Sequence, residues 1–326
     1  MRLLFLTYSN TDTCSLYRAA GIAPDLRKQW PGLSIEIKQW DRMQISWANL
    51  INYDIVMMQR PYDQPALSMC RYLKMLGIPI WIDWDDLLLD PPKENKQYYT
   101  IAQERDTIIQ LARIADVVSV PTRKLRDELS LYSENIKVIP NALNDTFLKR
   151  PQPKNRARVV LWRGSPEHLR DIMTYGEPLN ASITGHPEWK FMFAGLVPWM
   201  FPESPNLYYA PLTDPFLYFS ENAKEAPYLL HVPLQDTLFN RCKSNNAWME
   251  ATYFGAVCLA PAWDEWAVPG IAAYNSIQDY FDWMENIIGG GVNVELQVQV
   301  AWEYITDTLL LSDVNKLRIV LIEELL

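Results

Sequence analysis

Residues 231–261, HVPLQDTLFNRCKSNNAWMEATYFGAVCLAP, decide the fold. They read as strand, polar loop, helix, glycine break and strand, the order of a βαβ unit. The loop residues Asn240, Arg241, Lys243, Ser244 and Asn245 run directly into the helix. Its first turn leaves backbone N–H groups without partners, a setting that favours phosphate. Helical spacing then places Lys243, Ala247, Glu250 and Ala251 along one side. A cation and a carboxylate two turns apart can address one nucleotide. The same spacing suits a surface salt bridge on an ordinary crossover helix, and both readings stand at this point.

Upstream, the same grammar repeats. Arg2 to Thr7, Leu33 to Gln39, Asp54 to Gln59, Ile78 to Asp83, Asp116 to Pro121 and Ile136 to Ile139 read as strands. The run DIVMMQ (54–59) is continuously apolar, as a parallel strand buried on both faces would be. Helical stretches separate the strands: a segment to about Gln29, Pro65 to Met75 closed by Gly77, one long helix from Tyr98 to Ala115, and Thr122 to Leu131 capped by Thr122. The segment KRPQPKNRAR (149–158) interrupts the alternation with prolines and cations. It reads as a linker, with a phosphate-binding patch as the alternative.

Beyond the linker the alternation restarts with strands at Val159 to Trp162, Trp189 to Ala194 and Asn206 to Ala210, and a helix over 214–228. The C-terminal end is helical: Tyr280 to Ile287 stopped by glycines 289–291, a helix through Trp302 to Leu311, and a last one capped by Ser312. The last helix carries Val314, Leu317, Val320, Leu321 and Leu325 on one expected apolar face. The fold class is therefore α/β, with two doubly wound Rossmann-like domains facing across a cleft and a helical C-terminal extension. The expected divisions are 1–145, 146–300 and 301–326, with the last segment packing back on the first domain.

A chain of 326 residues favours two cores over one. A formal net charge of −9 weighs against a nucleic-acid surface, because duplex binding needs a basic footprint. No stretch reaches the roughly 18 apolar residues of a membrane span. The opening MRLLFLTY is too short for a signal peptide and reads as a core strand. Cys14, Cys70, Cys242 and Cys258 form no CxxC pair, so neither zinc nor a disulfide scaffold is suggested and a cytoplasmic setting is expected. The histidines have no metal spacing, and His231 reads as structural. Among the tryptophans, Trp84, Trp263 and Trp266 are placed to be tested as sugar platforms.

Four further stretches carry a family resemblance: ADVVSVPTRKLRDEL (115–129), IKVIPNALND (136–145), VVLWRGSPEHLRD (159–171) and FNRCKSNNAWMEATYFGAVCLAP (239–261). In this order they resemble the last strand and helix of the first domain, the interdomain junction, and the nucleotide-binding parts of GT-B glycosyltransferases like glycosyltransferase family 4. IVMMQRP with GIPIWIDWDDLLLDPP is similar to the first domain of bacterial and phage members.

The resemblance implies transfer of a sugar from a nucleotide-diphosphate donor to an acceptor hydroxyl, retaining, with no cofactor and no metal. It implies that Arg163 and Lys243 are the catalytic cations facing the departing diphosphate. Gly164, Ser165, Ser244 and Asn245 would bind its oxygens, and Glu250 the ribose hydroxyls. The first domain would hold a carbohydrate or other hydroxyl acceptor in loops Asn10 to Arg18, Arg60 to Asp63 and Asp83 to Asp86, with Tyr17, Arg18, Arg60, Asp83 and Asp85 as binding residues. Asp83, Asp85 and Asp86 also suit a metal or helix capping, and Asp83 or Asp85 could serve as the base of an inverting reaction.

The chain departs from the family pattern in three places. Cys242 stands where relatives carry a second Glu near the donor sugar. The cation that usually follows the Arg163 position is absent, with His168 or Arg170 as substitutes. The junction reads Pro-Asn-Ala-Leu-Asn, without the commoner glycine. Two other functions remain open: glycosylation of hydroxymethylated bases in DNA, for which only the Arg18, Arg27, Lys28 region and the linker offer basic surface, and non-catalytic sugar-nucleotide binding.

Overall fold

The computed structural model describes residues 1–9, 11–40, 47–93, 98–145, 156–211 and 214–326, apart from the side chains of Pro166 and Phe216. The expected loop residue Asn10 and most of the linker (149–155) lie outside the described residues.

Six parallel strands form the first sheet: β1 (Arg2–Thr7), β2 (Ser34–Gln39), β3 (Ile55–Gln59), β4 (Ile80–Asp83), β5 (Val117–Val120) and β6 (Ile136–Val138). Six more form the second: β7 (Val159–Arg163), β8 (Lys190–Ala194), β9 (Leu207–Ala210), β10 (Leu229–His231), β11 (Val257–Pro261) and β12 (Ile271–Tyr274). Their spatial orders are β2-β1-β3-β4-β5-β6 and β12-β11-β10-β7-β8-β9. Each sheet therefore reverses direction once, between β1 and β3 and between β7 and β10. Strands β3, β4, β5 and β11 are buried at every position, which is why their sequences show no alternation.

Local chemistry sets several boundaries as the sequence implies. The helix Gln64–Leu76 ends at Gly77 with φ 69°, a left-handed conformation that costs glycine nothing. Thr122 caps the helix Arg123–Leu129 through the Leu125 N–H. The expected helix from Tyr98 to Ala115 is instead two, Tyr98–Gln103 and Arg105–Ile114, separated at Glu104. The segment before Lys243 holds a short helix, Leu238–Arg241, capped by Thr237, and not a continuous loop.

The C-terminal helix Leu311–Leu325 packs on the first sheet's layer, against the helix Ala23–Gln29. The crossing is tied by Leu143 and Leu310, which form a parallel bridge. The expected boundary at residue 301 falls inside the helix Val294–Thr308, which stays with the second domain against Asn246–Phe254. Ser312 is not the cap; its N–H and hydroxyl both donate to Asp145. The buried face also differs from the expected one. Leu317 and Val320 are about half exposed, while Val314, Asn315, Arg318, Leu321 and Ile322 are buried. Two polar residues inside that stripe hid its direction from hydrophobic periodicity alone.

Candidate active site

The carboxyl ends of both sheets open onto one cleft of about 800 Å³. Its walls come from the two reversal points. Asp12, Cys14 and Arg60 follow β1 and β3, while Arg163 to Ser165 and Val232 to Leu234 follow β7 and β10. Open α/β sheets place ligands at such points because the flanking loops diverge there and leave a crevice.

Arg163 ends β7 and meets Glu250 in a bidentate pair, Nε to Oε2 at 2.7 Å and Nη2 to Oε1 at 2.9 Å. Glu250 also accepts from the hydroxyls of Tyr17 and Tyr218, each at 3.1 Å. Its side chain is 1% exposed and its oxygens carry four hydrogen bonds, which compensate the cost of burying the carboxylate. Burial, then the neighbouring Glu250 charge, push both tyrosine hydroxyls well above their ordinary pKa. Gly164 follows Arg163 where a Cβ would lie 2.7 Å from the Trp162 ring, so the close approach of loop and ring requires glycine.

Lys243 lies three residues before the first residue of the helix Asn246–Phe254. Its ammonium reaches across the cleft to Asp86 Oδ1 at 3.3 Å and sits 4.6 Å above the Phe239 ring. Asp86 accepts as well from Arg60 Nη2 at 3.2 Å, while Asp85 Oδ1 lies 3.1 Å from Arg60 Nε without the alignment of a hydrogen bond. Burial opposes ionisation of both carboxylates. At Asp85 it prevails and raises the pKa; at Asp86 the charges of Lys243 and Arg60 outweigh it and hold the pKa down. Arg60 adopts φ 54°, a left-handed backbone that is uncommon outside glycine and concentrates at functional sites.

Ser165 and Ser244 line the cleft, as do Tyr17, Arg60 and Asp85. Asn245 does not. Its amide turns away to the Glu265 carbonyl at 2.9 Å, and Asn246 takes its place on the wall. Of the two further residues expected on an acceptor, Arg18 lines the cleft and Asp83 does not, and the two are each other's buried partners. Arg18 Nε and Nη2 donate to the two Asp83 oxygens at 2.9 and 2.6 Å, and Nη1 donates to Ile139 O and Asn141 Oδ1. Ser119 donates to the same carboxylate. Both residues are about 1% exposed, so the pair acts as structure at the base of the wall. Its burial also removes Arg18 from the basic surface considered for DNA.

Asn141, in the junction, donates to Ser244 Oγ at 2.9 Å and Asn246 Oδ1 at 2.8 Å, joining the first domain to the helix start of the second. Cys242 is fully buried, and its carbonyl accepts from Thr122 Oγ1 at 2.8 Å. Trp84 is buried with its indole N–H on Pro61 O, which removes it as a platform. Trp266 lines the cleft, and Trp263 lies under the Arg241 guanidinium at 5.4 Å. His231 is buried against the Tyr280 hydroxyl, and burial pushes its pKa down to about 3. All four cysteines are free thiols.

The residues that sequence reasoning missed are Tyr218, Phe239, Asn246 and Asp171. Tyr218 reaches Glu250 from the helix Pro215–Glu225, which packs on the helix Asn246–Phe254, a contact that no local motif encodes. Among the described residues, no group of three or more His, Cys, Asp or Glu is arranged to hold a metal ion. No helix of the described residues is long and apolar enough to cross a membrane.

No protein-family profile matches the chain, and no curated protein sequence does. Solved structures do. A UDP-forming trehalose-phosphate synthase from Burkholderia xenovorans, in complex with glucose-6-phosphate, aligns over 100% of both chains with TM-score 0.62 and 10% identity. The fold is GT-B. A point mutant of S. aureus TarM, solved with fondaparinux, α-GlcNAc-glycerol and UDP, aligns at TM-score 0.57 and 15% identity over 80% of this chain and 54% of that one. A UDP-N-acetylglucosamine 2-epimerase described as putative, from Listeria monocytogenes, aligns at TM-score 0.55 and 10% identity over 92% and 91%. This GT-B chain thus shares its two-sheet architecture with proteins of more than one activity.

Proposed function

We propose that the chain is a glycosyltransferase that moves a sugar from a nucleotide-diphosphate donor to an acceptor hydroxyl. The observation that carries this reading is the convergence of Arg163, Lys243 and a helix start on one interdomain cleft. As the glycosidic bond breaks, negative charge builds on the leaving diphosphate, and fixed cations with helix-start N–H groups stabilise it in an enclosed site. The Gly164–Ser165 turn and Ser244 supply further donors. The ribose hydroxyls take the places of the Tyr17 and Tyr218 hydroxyls on Glu250. The acceptor lies on the first-domain wall beside Arg60 and Asp85, and Asn141 supports domain closure that keeps water from the donor.

Two parts of the proposal follow the family-4 resemblance: retention of anomeric configuration, and charge neutralisation by cations in place of a metal. Similar structures bound to UDP and to sugar or glycerol ligands support a nucleotide sugar and a hydroxyl acceptor. The test is a thermal-shift panel of nucleoside diphosphates and sugar nucleotides, followed by turnover with the stabilising donor. A ligand selective for the native state raises the melting temperature with its concentration. A shift with one nucleotide, lost in Lys243→Ala, supports the donor site. Stabilisation without transfer to any acceptor would instead favour a binder, and conversion of the donor sugar without an acceptor would favour an epimerase. The absence of any shift would overturn the reading.

A further inference from the structure

The first-domain wall of the cleft presents Asp12, Asp85 and Asp86 around one guanidinium, that of Arg60. Arg60 Nη2 lies 3.2 Å from Asp86 Oδ2, Nε lies 3.1 Å from Asp85 Oδ1, and Nη1 meets the Cys14 thiol at 3.2 Å. Arg18, the second guanidinium of this wall, is committed to Asp83. At the rim Asp90 and Lys93, both exposed, offset each other in charge. Three carboxylates therefore face one cation on the inner wall, and Lys243 from the opposite domain compensates only Asp86. Among the described residues of this wall, neither guanidinium is left to meet an anion arriving from solvent.

A second observation says what this wall can hold. Asp85 lines the cleft with its side chain 11% exposed, and its Oδ1 is buried without a hydrogen-bond partner. A buried oxygen left without a donor is costly, so a molecule that brings one gains from binding there. An ionised carboxylate only accepts, and the partner it needs is an O–H or N–H. A hydroxyl supplies that hydrogen. A phosphate, sulfate or carboxylate group would bring a further acceptor and a like charge against three carboxylates. We infer that the acceptor is a polyol carrying no anionic group, held by a hydroxyl that donates to Asp85. The inference rests on the first-domain wall being the acceptor side of a glycosyltransferase cleft, and adds to that reading a rule of charge. The same wall repels the phosphodiester backbone of DNA.

The experiment has two arms, both on the full chain. The first follows nucleoside diphosphate release from the stabilising donor with matched acceptors: glucose against glucose-6-phosphate, and glycerol against glycerol-3-phosphate. The uncharged member of each pair should be used at least about tenfold better in kcat/KM, and Asp85→Asn should narrow that ratio. Preference for a phosphorylated member overturns the inference and leaves the donor site intact. The second arm needs no acceptor, because Cys14 lines the same wall while the other three cysteines are buried. Its labelling by a cationic trimethylammonium methanethiosulfonate and by an anionic sulfonate analogue is compared with the labelling of mercaptoethanol. The cationic reagent should gain roughly tenfold at Cys14 over its advantage on the free thiol, as a focused negative potential gives. Asp85→Asn, and Asp12→Asn, which keeps a residue able to cap the helix Thr13–Arg18, should each reduce that gain. An anionic reagent that labels Cys14 as readily as the cationic one overturns the inference, whatever the donor. If no nucleotide stabilises the chain, the glycosyltransferase reading fails and the acceptor inference with it, even where labelling shows a negative wall.

Discussion

Asp86 and Lys243, one on each domain, meet at 3.3 Å across the cleft that both line. The ammonium assigned to a diphosphate is therefore held by a carboxylate of the opposite wall. Removing either partner has opposite consequences. Asp86→Asn keeps the shape but frees the cation, and should tighten nucleoside diphosphate binding by about threefold to tenfold, near 1 kcal/mol. Lys243→Ala should weaken the same binding by at least as much. Titration of both variants in parallel checks the pair, and equal weakening in both would refute the competition.

Glu250→Gln tests the neighbouring cluster by stability. It removes the charge facing Arg163 and leaves a guanidinium that is 26% exposed. A fully enclosed broken pair costs ~3–5 kcal/mol, so the loss here should be smaller, roughly 2 kcal/mol. Urea denaturation reads it directly. An unchanged midpoint would mean that Arg163 finds another partner.

Asp83→Ala should be more costly, about 3–5 kcal/mol, because it strands a buried Arg18. Its effect should fall on folding and not on ligand affinity. A variant that keeps wild-type stability while losing acceptor affinity would return Asp83 to the acceptor wall.

Acid sensitivity should trace to His231. Its folded pKa is lowered to about 3 from 6.5, so the unfolded chain binds a proton that the folded chain refuses throughout that window. Stability therefore rises with pH between those values and is lost on acidification from about 6.5 downward, at up to about 1.4 kcal/mol per pH unit. His231→Gln should flatten the difference in urea midpoint between pH 7 and pH 5 relative to wild type. An unaltered slope would place the sensitivity elsewhere.

The two sheets were legible because buried parallel strands such as DIVMMQ and VVSV announce themselves, and because Gly77, Thr122 and Gly255 punctuate their helices. Arg163, Lys243 and Glu250 were legible as a group only through the stretches that resemble family 4, since spacing alone left a surface salt bridge equally open. What escaped was pairing. That Arg18 turns inward to Asp83 depends on a short helix, Thr13–Arg18, beside β4, a contact across 65 residues. Asn245 and Asn246 were indistinguishable in sequence, and only the path of the turn decides which one faces the cleft.

The helix Leu311–Leu325 covers the side of the first sheet that carries Leu3, Phe5 and Met57. A ribosome finishes β6 well before it makes that helix, by roughly 10–40 s at ordinary elongation rates. During that interval only the helix Ala23–Gln29 packs on that flank, and the apolar surface that Val314, Leu321 and Ile322 later cover stays open. The order of synthesis thus runs against the order of closure: the first sheet waits for a helix made only after the whole second sheet, and chaperone capture of nascent chains should be concentrated on the first sheet's domain.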